Sequence, residues 1–357
     1  MTALLRRVDD FEEGALRALR PDVAAFFAGG AGDEWTMAEN RRAFDRWVLR
    51  PRVLRGVGEA DPSTTVIGEP MPFPIAIAPT AFHRLAHPDG ELATARAAAA
   101  TGATMIVSTM SSVSLEDVAA CGPPRWFQLY VHRDRELTAD LVARAQAAGY
   151  TALVLTVDAP RLGRRERDEA TGFELPPEVG MANVEHWLAP GTPGTSTRLS
   201  YFATQIDPNL TWDDVAWLRT LSPLPIVIKG VMTAEDATIA ADAGVAALVV
   251  SNHGGRQLDG AGATLDALPE VVGAAAGRLD VLVDGGVRRG QHVLKALGLG
   301  AAAVLVGRAP LWGLAVDGEA GVRRVLEILR DEFVLAMSLA GVRSVGEIEP
   351  SMVSRAP

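Results

Sequence analysis

Cysteine and long apolar runs are scarce in this sequence. Cys121 is the one cysteine among 357 residues, so an internal disulfide and an all-cysteine metal or iron–sulfur site are excluded. A reducing compartment is the simplest setting for such a chain. The longest strongly apolar stretch without charge, Ala296 to Gly307, lies between Lys295 and Arg308. It is shorter than the roughly 20 residues that a membrane-spanning helix needs, so we expect no membrane partner.

Basic residues are outnumbered by acidic ones. The chain has 34 Lys and Arg against 44 Asp and Glu, which gives a formal net charge of −10. This excess repels nucleic acid and anionic lipid, so we expect neither as a partner. The charges near the N-terminus are unlike the apolar core of a secretory signal. We therefore predict a cytoplasmic protein.

Short apolar runs alternate with Ala-rich amphipathic stretches along most of the chain. A chain longer than about 250 residues usually forms two domains or one large α/β barrel. Eight runs have the continuously apolar character of buried parallel strands. They are Ile75–Pro79, Thr104–Ser108, Trp126–Tyr130, Ala152–Asp158, Pro225–Lys229, Ala246–Ser251, Asp280–Asp284 and Ala302–Val306. Because a closed barrel buries every strand and leaves no edge, we predict an α/β fold, a (β/α)8 TIM barrel.

Two segments lie outside this repeat. Residues 1–74 precede the first strand and carry a helical pattern over Asp9–Phe27, so we predict an N-terminal helical cap. The interval after the fourth strand is about twice as long as any other and is rich in proline. Such an excursion in a compact barrel is typical of a lid, and we place it at 159–210. The whole chain, 1–357, is then a single barrel domain with a cap and a lid.

Polar residues follow the predicted strands at their carboxyl ends, the end where TIM barrels build their active sites. One such residue would be uninformative, because an isolated charge at a strand end is usually solvated. Several strands that deliver polar groups to the same rim predict a site. These groups are Ser108, Gln128, Tyr130, Thr156, Asp158, Lys229, Ser251, His253, Asp284 and Arg308.

Glycine and arginine after the last two strands indicate a phosphate site. Asp284-Gly-Gly-Val-Arg-Arg-Gly290 follows strand seven and Gly307-Arg308 follows strand eight. Barrels of this type bind phosphate at this place through backbone amides and a helix N-terminus. The alternative interpretation is that these glycines only make tight turns.

Histidine is the candidate base. In Ser251-Asn-His-Gly-Gly-Arg-Gln-Leu-Asp259, His253 lies where it could accept a proton, and Asp158 could orient it and stabilise its cation. His83 and His87 have the i, i+4 spacing of metal ligands but lack further ligands nearby, so we predict no metal site. The other histidines, which have no partner pattern, are expected at the surface. They are His132, His186 and His292.

These motifs together resemble the FMN-dependent L-2-hydroxy acid oxidase and dehydrogenase family, which includes glycolate, lactate and hydroxymandelate oxidases and mandelate dehydrogenase. The resemblance rests on Ser251–Asp259, Leu155–Asp158, Gly163–Arg165, Asp284–Arg288 and Ile77–Ala81. It implies FMN as the cofactor and a TIM barrel as the fold. The residues that it places on FMN are Pro79, Thr80, Ala81, Ser108, Gln128, Thr156, Lys229, Ser251, Asp284, Gly285, Gly286, Arg288, Gly307 and Arg308.

The resemblance also implies how the substrate is bound and oxidised. Arg165 and Arg256 would bind its carboxylate, and Tyr130 would donate to its 2-oxygen. His253, with Asp158 behind it, would remove a proton as two electrons pass to the flavin, by a hydride or a carbanion route. Lys229 would stabilise the negative charge of the reduced flavin.

Two pocket residues depart from the short-chain oxidases of the family. Phe26 stands where those enzymes carry a tyrosine that binds the substrate carboxylate, and Met110 stands where glycolate oxidases carry a tryptophan. Both changes make the pocket larger or more apolar. We therefore expect a hydroxymandelate oxidase-like preference for aryl or larger 2-hydroxy acids, such as mandelate or 4-hydroxymandelate.

The sequence does not determine the electron acceptor. O2, giving hydrogen peroxide, is the leading expectation, and a quinone or protein acceptor of a dehydrogenase is the alternative. A catalytically inactive flavin-binding barrel is the remote third interpretation. The resemblance suggests a homo-oligomer, a tetramer or octamer.

Overall fold

Eight parallel strands close into a barrel in a computed structural model that describes residues 5–176, 178–187 and 198–357, without the side chains of residues 198–200 and 203. In chain order the strands are β1 (Ile75–Ile77), β2 (Met105–Ser108), β3 (Arg125–Leu129), β4 (Leu153–Thr156), β5 (Ile226–Val231), β6 (Ala247–Val250), β7 (Asp280–Val283) and β8 (Ala303–Val306). Each strand pairs with the next, and β8 pairs with β1. The predicted TIM barrel is confirmed.

The barrel is buried on both faces of its strands. Residues such as Ile106, Val154 and Leu305 fill the interior, while their strand neighbours pack outward under the helices. A hairpin of Thr64–Val66 and Glu69–Met71 closes the amino-terminal end of the barrel. There the indole nitrogen of Trp126 donates to Glu69 at 3.2 Å. The opposite, carboxyl-terminal end is therefore the one left for a site.

Helices surround the barrel. They are α1 (Val8–Ala18), α2 (Pro21–Ala28), α3 (Trp35–Arg42), α4 (Glu91–Thr101), α5 (Leu115–Ala120), α6 (Arg135–Ala147), α7 (Glu166–Thr171), α8 (Arg198–Gln205), α9 (Trp212–Leu221), α10 (Ala234–Asp242), α11 (Thr264–Ala275), α12 (Gly290–Gly298) and α13 (Arg308–Ala340). Ser114, Asp134, Thr211 and Thr233 cap the amino ends of α5, α6, α9 and α10 through their side chains, as such residues commonly do. Helix α13 bends at Asp317 and Gly318.

The segment with the helical pattern over Asp9–Phe27 forms two helices, α1 and α2. Arg20, between α1 and α2, has extended backbone angles. A residue that precedes proline is disfavoured in the helical conformation, and Pro21 opens α2. The break lets α2 turn toward the barrel.

The N-terminal segment is bonded to the loop that follows β6. Asn40 and Asn252 exchange two side-chain amide hydrogen bonds of 2.8 and 2.9 Å. The backbone N–H of Thr36 donates to the Asp259 carboxylate at 2.8 Å. A short strand, Trp47–Leu49, pairs with Val353–Arg355 near the end of the chain. In α2 the Phe27 carbonyl accepts from Arg308, which follows β8, so α2 lies at the carboxyl ends of the strands.

The segment predicted as a lid contributes α7 and α8. Residue 177 and residues 188–197 of this segment lie outside the described residues. Phe173, after α7, stacks on Phe26 of α2 with ring centroids 4.5 Å apart, so this part of the segment contacts the cap. Over the described ranges no helix combines the length and the apolar character needed to cross a bilayer.

Candidate active site

A cavity of about 1120 Å³, including its open mouth, lies at the carboxyl ends of the strands. Residues within or just after the carboxyl-terminal parts of all eight strands line it, together with Phe26 from α2. The predicted site residues on its wall are Phe26, Pro79, Thr80, Ala81, Ser108, Met110, Gln128, Tyr130, Thr156, Arg165, Lys229, His253, Arg256, Asp284, Gly285, Gly286, Arg288, Gly307 and Arg308. Asp158 and Ser251 are not on the wall and contact lining residues from behind.

Lys229 is a buried ammonium at the carboxyl end of β5. Its Nζ donates to Ser251 Oγ at 2.7 Å and lies 2.9 Å from Asp284 Oδ2. Burial acts to lower the pKa of Lys229, but Asp284 and then Asp158 oppose it, and the net pKa is raised. The side chain is therefore a fixed positive charge. Ser251 accepts this hydrogen bond from Lys229, and its contact with the cofactor stays a prediction.

His253 and Asp158 form the predicted pair. His253 Nδ1 lies 2.9 Å from Asp158 Oδ1. Burial lowers the pKa of His253, although Asp158 opposes this, so the imidazole is neutral near pH 7. Burial raises the pKa of Asp158, but His253 and Lys229 lower it by more, and the carboxylate stays ionised. Nδ1 therefore donates to Asp158, and Nε2 is left as the nitrogen that can accept a proton.

The loop that carries His253 is strained and closely packed. His253 has φ +58°, and Gly254 and Gly255 follow with φ +64° and +73°. A Cβ on Gly255 would lie 2.5 Å from the backbone nitrogen of Met37. The next residue, Arg256, donates to the Gly29 carbonyl at 2.6 Å. The two glycines therefore let the loop dock against the cap while it presents His253 and Arg256 to the cavity.

Two arginines from the loops after β4 and β6 bring positive charge to the cavity. Arg165 is buried at the amino end of α7 and acts to lower the pKa of His253. The Arg256 guanidinium lies 5.4 Å from the centre of the Phe26 ring. A guanidinium has the planar fork that binds a carboxylate. This side of the cavity can therefore accept an organic acid.

Two further arginines line the cavity after β7 and β8, and one of them, Arg308, shares the Gly29 carbonyl with Arg256. Arg308 donates to the carbonyl oxygens of Phe27, Gly29 and Gly254 at 2.9 to 3.0 Å. Burial, followed by the nearby charge of Arg288, lowers the pKa of Arg308 to about 10. Burial also lowers the pKa of Arg288, whose Nε lies 3.5 Å from Glu12. Two neighbouring buried cations favour a bound anion such as phosphate.

Comparisons with known proteins agree with this geometry. The FMN-dependent dehydrogenase family model matches residues 15–355. An L-lactate oxidase from Nostoc sp. (strain PCC 7120 / SAG 25.82 / UTEX 2576) is 51% identical, over 99% of this chain and 100% of its own length. A glycolate oxidase from Spinacia oleracea is 51% identical, over 98% of this chain and 96% of its own. A mandelate oxidase crystallised with (S)-4-hydroxymandelic acid superposes with a TM-score of 0.94 at 44% identity, over 99% of both chains.

The chain belongs to the FMN-dependent dehydrogenase family. FMN is its cofactor, and its chemistry is the FMN-dependent oxidation of a 2-hydroxy acid.

The polar groups of the cavity fit FMN. Gln128 Oε1 accepts from Ser108 Oγ at 3.1 Å and from the Thr109 N–H at 3.2 Å. The buried Gln128 Nε2, and Asp284 Oδ1, have no hydrogen-bond partner among the described residues. An amide donor and a carboxylate acceptor on the cavity wall suit the polar ring edge and ribityl hydroxyls of this family's cofactor. The Arg288 and Arg308 pair suits its phosphate.

Sequence reasoning missed part of the apolar wall. Leu162 and Phe202 come from the lid segment, and Phe202 packs edge-on against Tyr130 with ring centroids 5.0 Å apart. Neither residue has a periodic neighbour that marks it in the sequence. Their place depends on how an irregular segment folds back over the barrel.

The histidines expected at the surface are only partly there. The prediction for His132 is wrong, because this residue is buried and its Nε2 lies 2.8 Å from the Tyr201 hydroxyl. His292 is half-buried and stacks on Phe44 with ring centroids 4.2 Å apart. His186 is exposed and lies 3.3 Å from Asp140. The partners of His132 and His292 come from segments distant in sequence, which single-chain patterns cannot reveal.

Proposed function

We propose that this chain is an FMN-dependent oxidase of L-2-hydroxy acids that prefers aryl or other large side chains. The observation that carries the preference is the apolar character of the wall beside the two substrate arginines. Phe26 occupies that wall without a hydroxyl, and it is held between Phe173 and the Arg256 guanidinium. A flat aromatic surface packs well against an aryl ring.

In this proposal the substrate carboxylate binds between Arg165 and Arg256. Both side chains reach the cavity from loops on the same side, after β4 and β6. Arg256 is oriented by its bond to the Gly29 carbonyl. These two cations compensate the negative charge of the acid, and their forked donors fix the plane of its carboxylate.

Tyr130 and His253 act on the reacting carbon. The Tyr130 hydroxyl donates to the substrate 2-oxygen, and His253 Nε2 accepts a proton from the substrate. Asp158, 2.9 Å from Nδ1, orients the ring and stabilises the imidazolium that forms. FMN supplies a two-electron acceptor for the substrate carbon, so that the product is a 2-oxo acid. Lys229 holds positive charge where the cofactor gains negative charge.

The side chain of the substrate meets Met110, Leu162 and Phe202. These residues line the cavity together with Phe26, and all four are apolar or aromatic. A small polar substrate such as glycolate would leave this surface uncovered, whereas an aryl group would bury it. Burial of apolar area contributes about 25 cal/mol per Å², so a phenyl ring gains binding energy that glycolate lacks. The mandelate oxidase that binds (S)-4-hydroxymandelic acid supports the same assignment.

O2 is the proposed electron acceptor, with hydrogen peroxide as its product. The names of the relatives, a lactate oxidase and a glycolate oxidase, support an oxidase over a dehydrogenase.

The cytoplasmic location and the tetrameric or octameric state stay predictions.

The test is the visible spectrum of the purified holoprotein, mixed anaerobically with a panel of 2-hydroxy acids. We expect (S)-mandelate and (S)-4-hydroxymandelate to bleach the flavin with a higher kred/Kd than glycolate or L-lactate. Admission of air should restore the colour rapidly and release one peroxide per flavin. Equal values for glycolate and mandelate would refute the aryl preference. Slow recovery with little peroxide would indicate a dehydrogenase, and a flavin that no acid bleaches would refute the enzymatic role.

A further inference from the structure

A second buried histidine, His83, lies directly behind the cavity wall. It is 2% exposed and begins a short turn, His83–Leu85, after β1. Its Nε2 lies 2.6 Å from the Thr80 hydroxyl oxygen, and its Nδ1 lies 2.9 Å from the Thr94 hydroxyl oxygen. Thr80 lines the cavity, whereas Thr94 is fully buried on α4. His83 therefore links a hydroxyl of the cofactor wall to the helix behind it.

The direction of these hydrogen bonds follows from the environment of the ring. Burial lowers the pKa of His83, with Glu91 and the Thr80 backbone opposing it, so the ring is neutral and carries one N–H. Across the described residues, Nδ1 of His83 is the one hydrogen-bond partner of the Thr94 hydroxyl. A buried hydroxyl donates its proton, so Nδ1 accepts from Thr94. Nε2 then carries the proton and donates to the Thr80 oxygen.

The hydrogen bond from His83 fixes the orientation of the Thr80 hydroxyl. Its oxygen accepts from His83, so its own proton is available to an acceptor in the cavity. Without the imidazole, the hydroxyl could rotate and present a lone pair instead. A donor and a lone pair have opposite effects on a neighbouring group that gains electrons.

The ring is held in a rigid setting. The Glu91 carboxylate, 1% exposed, accepts from the backbone N–H of His83 at 3.1 Å and from that of Ser112 at 2.9 Å. Phe82, just before the turn, has φ +60°, a conformation that non-glycine residues seldom adopt. Such a constrained turn is consistent with a side chain whose orientation matters.

We propose that His83 is a positioning residue that orients the Thr80 hydroxyl as a hydrogen-bond donor to FMN and so raises the reduction potential of the bound flavin. The proposal rests on the placement of FMN against Thr80. Reduction adds negative charge to the polar edge of the flavin, and an oriented donor stabilises that charge. His83 acts through Thr80 and touches neither substrate nor cofactor.

The test is the two-electron midpoint potential of the holoprotein, measured by equilibration with a redox dye and without any hydroxy acid. We expect His83→Leu and Thr80→Val each to shift the reduction equilibrium about tenfold toward oxidised flavin, which is about 30 mV. The double variant should shift no further, because both changes remove the same donor. His83→Gln, which can keep an amide donor near Thr80, should recover most of the potential.

Two more variants complete the design. Thr94→Val removes the hydroxyl that fixes the tautomer of His83, so it should lower the potential by less than His83→Leu does. His87→Asn is the matched control, because His87 is in the same segment but bonds to the Asp89 N–H outside the cavity, and it should leave the potential unchanged.

The proposal fails if His83→Leu lowers Tm while the potential stays at the wild-type value, since that is a purely structural role. It also fails if His83→Leu shifts the potential equally in the wild-type and Thr80→Val backgrounds. Neither result depends on a hydroxy acid. Failure of the proposed oxidase function would appear instead as a flavin that its substrates do not bleach.

Discussion

Two regions of the cavity wall, the carboxyl end of β5 and the loop after β8, hold positive charge in different ways. At β5, Lys229 lies 2.9 Å from the Asp284 carboxylate, and its pKa is raised although burial acts to lower it. After β8, Arg308 donates to three backbone carbonyls, and burial together with Arg288 lowers its pKa to about 10. The protein supplies a countercharge to Lys229, whereas at Arg308 it relies mainly on neutral oxygens.

This difference indicates two kinds of task. A charge that must stay constant while a reaction proceeds benefits from a partner within the protein. A cation that binds a permanent anionic ligand needs less countercharge from the protein, because the ligand itself then neutralises the cation. Substitutions near Lys229 and at Arg308 should therefore separate chemistry from cofactor binding.

Three substitutions test this comparison, and the largest of their effects is expected at Asp158, behind His253. Asp158→Asn should lower the rate constant for anaerobic flavin reduction by on the order of 10²-fold, since His253 loses its orienting carboxylate. Asp158 acts to raise the pKa of His253, so its removal lowers that pKa further. The acid limb of the kcat/KM profile, where His253 becomes protonated and inactive, should therefore move to lower pH.

FMN content should stay at the wild-type level in Asp158→Asn, because Asp158 is not on the cavity wall. A pH profile whose acid limb is unmoved, or has moved to higher pH, would contradict the assignment of that limb to His253.

An intermediate effect is expected at Arg308, which we propose binds the cofactor phosphate. Arg308→Leu should weaken FMN binding by about 10- to 100-fold, the value of one or two charge-assisted hydrogen bonds. Reconstitution with excess FMN should return the reduction rate to within a few fold of wild type. The measurement is a fluorescence titration of apoprotein with FMN and, for comparison, riboflavin, whose affinity should change little.

Arg289→Gln is the matched control for this loss of charge. Arg289 donates to Glu332 at 3.0 Å and does not line the cavity. Should Arg308→Leu weaken riboflavin as much as FMN, the phosphate assignment would be wrong.

The smallest effect is expected on the apolar wall. Phe26→Tyr adds a hydroxyl near the substrate carboxylate, so it should improve kcat/KM for glycolate relative to mandelate by about tenfold, the worth of one good hydrogen bond. Phe26→Leu serves as the control, since it removes the ring without adding a donor and should not favour glycolate. An unchanged substrate ratio in Phe26→Tyr would remove Phe26 from the carboxylate side of the site.

The barrel was predictable because its strands follow simple rules. The predicted run Asp280–Asp284 matches the observed strand Asp280–Val283 to within one residue. The match is close because a strand buried on both faces is continuously apolar and stands out in the sequence. The wall residues that follow the strands could be named for the same reason, because strand ends in a closed parallel barrel share one rim.

What escaped prediction depends on contacts between distant segments. The hydrogen bond from Lys229 to Ser251 joins the ends of two different strands, and the sequence pattern does not specify this partner. Phe202 reaches Tyr130 only because the segment after β4 folds back. In the sequence, His83 shares the i, i+4 spacing of metal ligands with His87. In the structure its partners are Thr80 and Thr94, which come close because the turn after β1 packs against α4.

The central claim is that proton removal belongs to His253 and is separable from cofactor binding. The most direct measurement is the anaerobic spectrum of His253→Gln holoprotein after addition of (S)-mandelate, with His186→Gln, at an exposed histidine, as the control. We predict full FMN content and reduction slowed by on the order of 10³-fold. Bleaching at the wild-type rate would contradict the account.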